Sequence, residues 1–235
     1  MKRIGIVVAM KVEKITIEEK MTNKKNAIYY NLPFIIGKIG NTECILVQSG
    51  VGKVNAARTT QILIDKYKPE AIINVGVGGS VNRELYIGDV VISKKIFQHD
   101  FDITVFDHKK GYIPEVGDYI EGDKNLLNKF YKIINDDSEK TYKTKIGTIA
   151  SADLFCTEVA HKEKIRSKFN ADIVDMECGA IAQVAYLDNI PFIGIRCVSD
   201  IPNEENVSTY KDNVELASEI SSKILEKFCM QYWIV

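Results

Sequence analysis

Short continuous apolar runs rich in Val and Ile recur along this chain. Ile4 to Ala9, Cys44 to Gln48, Ala71 to Val75, Asp89 to Ser93, Lys145 to Ala150, Asp172 to Asp175 and Phe192 to Val198 read as strands covered on both faces, because such strands have no polar side to show. Ala27 to Gly40 alternates more, which fits a hairpin with the following strand that turns at Asn41-Thr42. Helical periods lie between the strands. Val54 to Tyr67 stops just before Pro69, and Leu126, Leu127, Phe130, Tyr131 and Ile134 share one face. Glu158 to Phe169, Cys178 to Leu187 and about Asp212 to Phe228 complete the set, the last with a stripe of Val214, Leu216, Ala217, Ile220, Ile224 and Leu225. Strands alternating with helices predict an α/β fold of three layers, with a central mixed, mainly parallel twisted sheet flanked by helices. The polar stretches Asp107 to Tyr119 and Asn135 to Thr144 are too short to separate domains, so residues 1–235 are expected to form one domain.

Composition narrows the function by exclusion. The 235 residues are 46% hydrophobic, enough for a sizeable core, and 31 basic against 32 acidic side chains leave a net charge of -1. That balance argues against a nucleic-acid or anionic-membrane surface. No apolar run approaches the ~20 residues of a membrane helix, and Ile4 to Ala9 after Met1-Lys2-Arg3 is too short for a signal peptide. Cys44, Cys156, Cys178, Cys197 and Cys229 form no CxxC pair, which suggests a reduced, cytoplasmic protein without disulfides. His99, His108 and His161 are not at ligand spacing with Cys, so no metal is expected. The apolar end, Met230 to Val235, suits docking on the body or an interface.

Candidate chemistry begins with acids at strand ends. Glu177 follows Ile173-Val174-Asp175-Met176, and Asp200 closes Phe192 to Ser199. The carboxyl ends of strands are where α/β sheets bind ligands. Two glycine loops also follow strands. Ser49-Gly50-Val51-Gly52-Lys53 fails as a phosphate loop, because Val47 replaces the first Gly and Val54 the Ser or Thr; Asn55 breaks the dinucleotide pattern. Gly76-Val77-Gly78-Gly79 is broken by Val81. What remains is either a tight strand-to-helix turn or close backbone approach to a small ligand at Val51, Val77 and Gly78. Each acid also has an ordinary reading. Glu13 stands among Lys11, Lys14, Glu18 and Glu19 like surface charge. Glu177 opens a helix, where an acid meets the dipole, and Asp200 before Ile201-Pro202 could start a turn.

Five pieces stand in one order: Ala9-Met10 with Glu13, Ser49 to Lys53, Asn74 to Gly79, Val174-Asp175-Met176-Glu177, and Arg196-Cys197-Val198-Ser199-Asp200. His99 to Phe106 sits midway. From about Lys2 to Phe228 this ordered set resembles the 5′-methylthioadenosine/S-adenosylhomocysteine nucleosidases of the nucleoside phosphorylase superfamily. The resemblance implies that Glu13 takes a proton from the attacking water, Asp200 protonates adenine N7 and Glu177 binds the ribose hydroxyls. It implies that Met10 and Met176 pack on the sugar, Phe155 stacks on the purine and the backbone at Cys156 reads the adenine edge. Ser199 and Arg196 would position the carboxylates, and Tyr210 would stand beside the ligand. Phe106 and Pro114 would reach the neighbouring subunit's pocket, which implies a homodimer. No cofactor is implied. The chain departs from the family at Lys11-Val12, where many relatives are acidic, at Val77, which replaces a small polar residue, and at Cys156, which replaces a branched aliphatic.

The chemistry is coherent in itself. An N-glycosidic bond breaks through an oxocarbenium-like state, adenine leaves well only when N7 is protonated, and water attacks better with a base, each proton transfer contributing ~10²–10⁴-fold. The acid and the base need different environments. A phosphate-dependent purine nucleoside phosphorylase is the chief alternative, but phosphate needs cations such as Arg. The hexameric phosphorylases carry Arg just before the first glycine loop, where this chain has Asn74, and Glu13 would repel phosphate. A hydrolase of a related nucleoside such as futalosine, and an inactive adenosine-binding protein, are the further alternatives.

Overall fold

The computed structural model describes residues 3–201 and 206–231. Its strands are β1 (Arg3–Val8), β2 (Thr22–Tyr29), β3 (Leu32–Ile39), β4 (Thr42–Gln48), β5 (Ala71–Ser80), β6 (Val90–Gln98), β7 (Ile120–Glu121), β8 (Thr144–Ser151), β9 (Ile173–Asp175) and β10 (Phe192–Asp200). Its helices are α1 (Lys11–Glu18), α2 (Lys53–Tyr67), α3 (Lys124–Asn135), α4 (Val159–Phe169), α5 (Cys178–Leu187) and α6 (Asn206–Gln231). Every expected strand and helix is present, most of them extended by a few residues. The last helix starts at Asn206 rather than near Asp212, which takes Tyr210 into its first turns. Of the apolar C-terminal stretch, Tyr232 to Val235 lie outside the described residues.

The expectation of a mainly parallel, flanked sheet needs correcting in two respects. Five pairings are parallel and five antiparallel, so the sheet is evenly mixed. It also closes on itself, because β5 pairs with β10 along one edge while β10, β6, β8 and β9 lead back to β5. The length of β5 makes closure possible. Its first residues, Ala71–Asn74, pair with β1, and its last two, Gly79 and Ser80, pair with Val174 and Ile173 of β9. A Cβ on Gly78 would stand 2.8 Å from the carbonyl oxygen of Val174, so a side chain there would hold β9 away. The barrel extends on one side through β1, β4, β3 and β2. The β2–β3 turn is at Tyr30-Asn31, both with left-handed φ of 51° and 64°, as a two-residue type I′ hairpin requires. The next turn is Gly40-Asn41, with Thr42 already in β4. Strand β2 is exposed and carries Lys24 and Lys25, a composition that discourages edge-to-edge pairing.

Helices cover both faces. Ile4, Ile6 and Val8 of β1 point to one side and join Phe130, Ile224, Leu225 and Phe228 from α3 and α6. Val7 points to the other and joins Leu63, Ile64 and Ile181 from α2 and α5. This alternation makes β1 one shared wall between two cores. The rings of Phe130 and Phe228 stack at 3.8 Å. Helix α1 has a polar sequence with only two buried side chains, Glu13 and Ile17. No described helix is long and apolar enough to cross a membrane.

Candidate active site

Strand ends from across the sheet open into one cavity of about 180 Å³. Its wall brings together Met10 after β1, Val51 after β4, Val77 and Gly78 in β5, and Met176 and Glu177 after β9. Phe155 and Cys156 beyond β8, Ser199 and Asp200 at the end of β10, Glu13 from α1 and Tyr210 from α6 complete it. Ala9, Gly79, Leu154, Val174 and Asp175 also line it; sequence reasoning gave them no role. Three expected residues do not line this cavity. Phe106 is 71% exposed on a short 3-10 turn, Pro114 lies in an exposed loop position, and Arg196 lies behind the wall.

Glu13 is buried rather than a surface charge, at 4% exposure. One carboxylate oxygen accepts the amides of Ala9 and Met10, both at 2.9 Å. The other accepts the amide of Val77 at 3.1 Å. Burial raises its pKa above the usual carboxylate range, opposed by the Arg196 charge and the three amides. The carboxylate is thus fixed in orientation and made more basic than an exposed one, two properties a base needs.

Glu177 is released from helix capping by Asp175. An Asp175 oxygen accepts the amide of Cys178, the first residue of α5, at 2.8 Å, whereas Glu177 makes no side-chain cap. Its carboxylate instead accepts the amide of Gly52 at 2.9 Å, and Gly52 has φ 97°, a conformation that glycine takes without strain. Burial first, and the neighbouring Asp175 charge second, push the pKa of Glu177 up to about 7. A carboxyl raised in this way favours folding at low pH, and that advantage disappears as pH rises from the unfolded value, 4.5, through about 7. Glu177→Gln removes the penalty and keeps an acceptor for Gly52. It is expected to raise Tm at pH 8 by about 2–4 °C, for ~1 kcal/mol in a chain of this size, with the gain shrinking toward pH 4.5. Melting curves at the two pH values check this.

Arg196 is 2% exposed and is spent on structure. It donates to Asp175 through Nη2 at 2.6 Å and Nε at 3.1 Å, to the Asn74 side chain, and to the backbone carbonyls of Asn74 and Ile195. It therefore braces Asp175 directly, and it reaches Glu13 and Glu177 only as a nearby positive charge. Asp175 also accepts the Ser151 hydroxyl at 2.5 Å. The sequence placed Asp175 on the same short strand end as Glu177; nothing there marked it as the residue that caps and braces.

One side of the cavity is aromatic. Phe155 and Tyr210 meet edge to face at 5.5 Å, and the Tyr210 hydroxyl donates to the Met10 sulfur at 2.9 Å. Burial, and then the charges of Glu13, Asp200 and Glu177, raise the Tyr210 pKa and keep its hydroxyl protonated. Burial also raises the Cys156 thiol. The Ser199 hydroxyl lies 3.3 Å from the Gly78 carbonyl and 3.2 Å from Asp200 Oδ1. Asp200 Oδ2 is paired with Lys162 Nζ of α4 at 2.7 Å, a partner that sequence reasoning missed. A signal existed: Lys162, Ile165 and Phe169 are the buried residues of α4, spaced along one face, so a charge occupies a core position.

The segment between His99 and Phe106 is structural near its start. His99 is buried, and burial lowers its pKa to about 4, so it is neutral at pH 7. Asp100 accepts Lys53 Nζ at 2.7 Å and the Asp153 amide at 3.1 Å, while Asp153 accepts the Lys53 amide at 2.7 Å. These bonds tie the loop bearing Val51 to the loop bearing Phe155.

Known proteins share this frame. The family model described as the phosphorylase superfamily matches residues 3–229. The 5′-methylthioadenosine/S-adenosylhomocysteine nucleosidase of Staphylococcus aureus is 36% identical over 229 residues, covering 97% of this chain and 99% of that protein. The S-adenosylhomocysteine nucleosidase of Streptococcus pyogenes, solved with 5-methylthiotubericidin, superposes with a TM-score of 0.93 at 33% identity, covering 98% of this chain and 97% of that one. The futalosine hydrolase of Helicobacter pylori superposes with a TM-score of 0.91 at 30% identity, over 96% of each chain. The chain belongs to the phosphorylase superfamily, within its family of 5′-methylthioadenosine/S-adenosylhomocysteine nucleosidases.

Proposed function

We propose that this protein hydrolyses the N-glycosidic bond of 5′-methylthioadenosine and S-adenosylhomocysteine, releasing adenine and the 5′-thio-ribose product, with the whole chain acting as one nucleosidase domain. The observation that carries this reading is the Glu13 carboxylate, clamped by three backbone amides at the cavity wall. A carboxylate there serves an attacking water and repels a phosphate dianion. The nearest guanidinium, Arg196, is committed to Asp175 and Asn74, which leaves it poorly placed to hold phosphate. Glu13 takes the water's proton, Glu177 accepts from the ribose hydroxyls and Asp200 gives its proton to N7. Met10 and Met176 pack on the sugar. Phe155 stacks on the purine, Tyr210 stands beside the ligand, and the backbone at Cys156 reads the adenine edge. The test is adenine release from a panel of methylthioadenosine, S-adenosylhomocysteine, 5′-deoxyadenosine and futalosine, with and without phosphate. Release at equal rates in both conditions is expected; strict phosphate dependence would refute hydrolysis.

The likeness to futalosine hydrolase is why futalosine is included, and faster turnover of that nucleoside would move the assignment to it. The same reading makes the protein a homodimer in the cytoplasm. Val105 and Phe106, 83% and 71% exposed, form an apolar knob that a second copy would cover, and Phe106 and Pro114 would complete that copy's pocket. Five free thiols suit a reducing compartment.

A further inference from the structure

We propose that Lys162 is a positioning residue for the reaction and the source of the proton that Asp200 delivers; this inference rests on the reading of Asp200 as the general acid. Lys162 and Asp200 have side-chain exposures of 1% and 3% and meet at 2.7 Å. Asp200 lines the cavity and Lys162 does not, so the carboxyl stands between the ligand space and the ammonium. On α4, Lys162 shares the buried face of Ile165 and Phe169, which both belong to an apolar cluster. A lysine held at such a position is costly unless paired, and the pairing it has is to the acid that the chemistry needs.

The pair stores one proton. As ammonium and carboxylate, or as amine and carboxylic acid, it has the same net charge, so shifting the proton from nitrogen to oxygen brings no new charge into the site. In the reaction, Lys162 Nζ passes a proton to Asp200, and Asp200 passes one to N7 of the purine. The C1′–N9 bond breaks with its electron pair going to N9, so adenine leaves neutral. Water bonds to C1′ through oxygen, and its proton goes to Glu13. The resting state returns when Glu13 loses that proton to solvent and the Lys162–Asp200 pair takes one up. Because Lys162 reaches the substrate only through Asp200, its replacement should slow the chemical step and leave binding alone.

The experiment compares wild type, Lys162→Met, Lys162→Arg and Asp200→Asn on two substrates. Methylthioadenosine needs a protonated leaving group; a 4-nitrophenyl 5-methylthioriboside releases nitrophenolate without one. For Lys162→Met, kcat on methylthioadenosine should fall by about 10²-fold with KM within about threefold, while nitrophenolate release stays within about threefold of wild type. Arg restores the charge but does not give up its proton, so Lys162→Arg should be as slow as Lys162→Met on methylthioadenosine and equally competent on the nitrophenyl substrate. Wild-type adenine release in Lys162→Met, rescue by Arg, or equal loss on both substrates would each overturn the proposal, the last two by making Lys162 a charge partner or a structural residue. If Asp200→Asn releases adenine as fast as wild type, the reading of Asp200 itself fails. If Asp200→Asn is slow and Lys162→Met is fast, only the role of Lys162 fails.

Discussion

Asp200→Asn is expected to lower kcat for adenine release by about 10²-fold or more, with KM changed far less. The amide can still donate a hydrogen bond toward N7, but it has no acidic proton to transfer, so the loss falls on the step in which C1′–N9 breaks. The substitution also alters the buried pair with Lys162 at 2.7 Å. The Asn carbonyl can accept from the ammonium, but the compensating charge is gone, so a stability loss of ~1–3 kcal/mol should accompany the loss of rate. Measuring kcat, KM and Tm on one preparation separates the two effects. Wild-type kcat in this variant would remove Asp200 from the chemistry.

Glu13→Gln should be as damaging and less well tolerated by the fold. Its two oxygens accept three backbone amides, those of Ala9, Met10 and Val77. In either orientation the Gln amide sets an N–H₂ against a backbone N–H, and an amide buried without an acceptor costs ~1–3 kcal/mol. We expect kcat to fall by about 10²-fold or more from loss of the base and Tm to fall, opposite to its rise in Glu177→Gln. The two variants thus distinguish a carboxylate the fold uses from one it carries at a cost. With both pKa values raised by burial, wild-type kcat/KM should decline on acidification from about pH 7, the value to which Glu177 is pushed. In Glu177→Gln the part of that decline due to Glu177 should vanish, leaving the part due to Glu13.

Much of this was legible in the residues. Val- and Ile-rich runs such as Phe192 to Val198 read as covered strands, and ordered motifs near their ends located Glu13, Glu177, Asp200 and the residues packed around them. Three features were not legible, each for a physical reason. Closure of the sheet depends on β9 meeting the last two residues of β5, a long-range pairing that no local pattern encodes. Helix α1 is held by burial of Glu13 and Ile17, and a buried acid makes its sequence look like a solvated face. Arg196 was expected to orient the catalytic acids, yet it turns to Asp175 and Asn74, because the direction of a long side chain at a strand end is set by neighbours distant in sequence.

The bond between the Tyr210 hydroxyl and the Met10 sulfur spans 200 residues of chain, and that span determines when a pocket can exist at all. During synthesis the first strand emerges from the ribosome long before its partner helix, so no nascent fragment can hold a nucleoside. The same holds for unfolding, because a wall drawn from both ends of the chain is lost when either end detaches. A bound ligand therefore protects the whole molecule, adding RT ln(1 + [L]/Kd) to its global stability. Protease resistance of the intact chain then becomes a direct measure of occupancy in the cell.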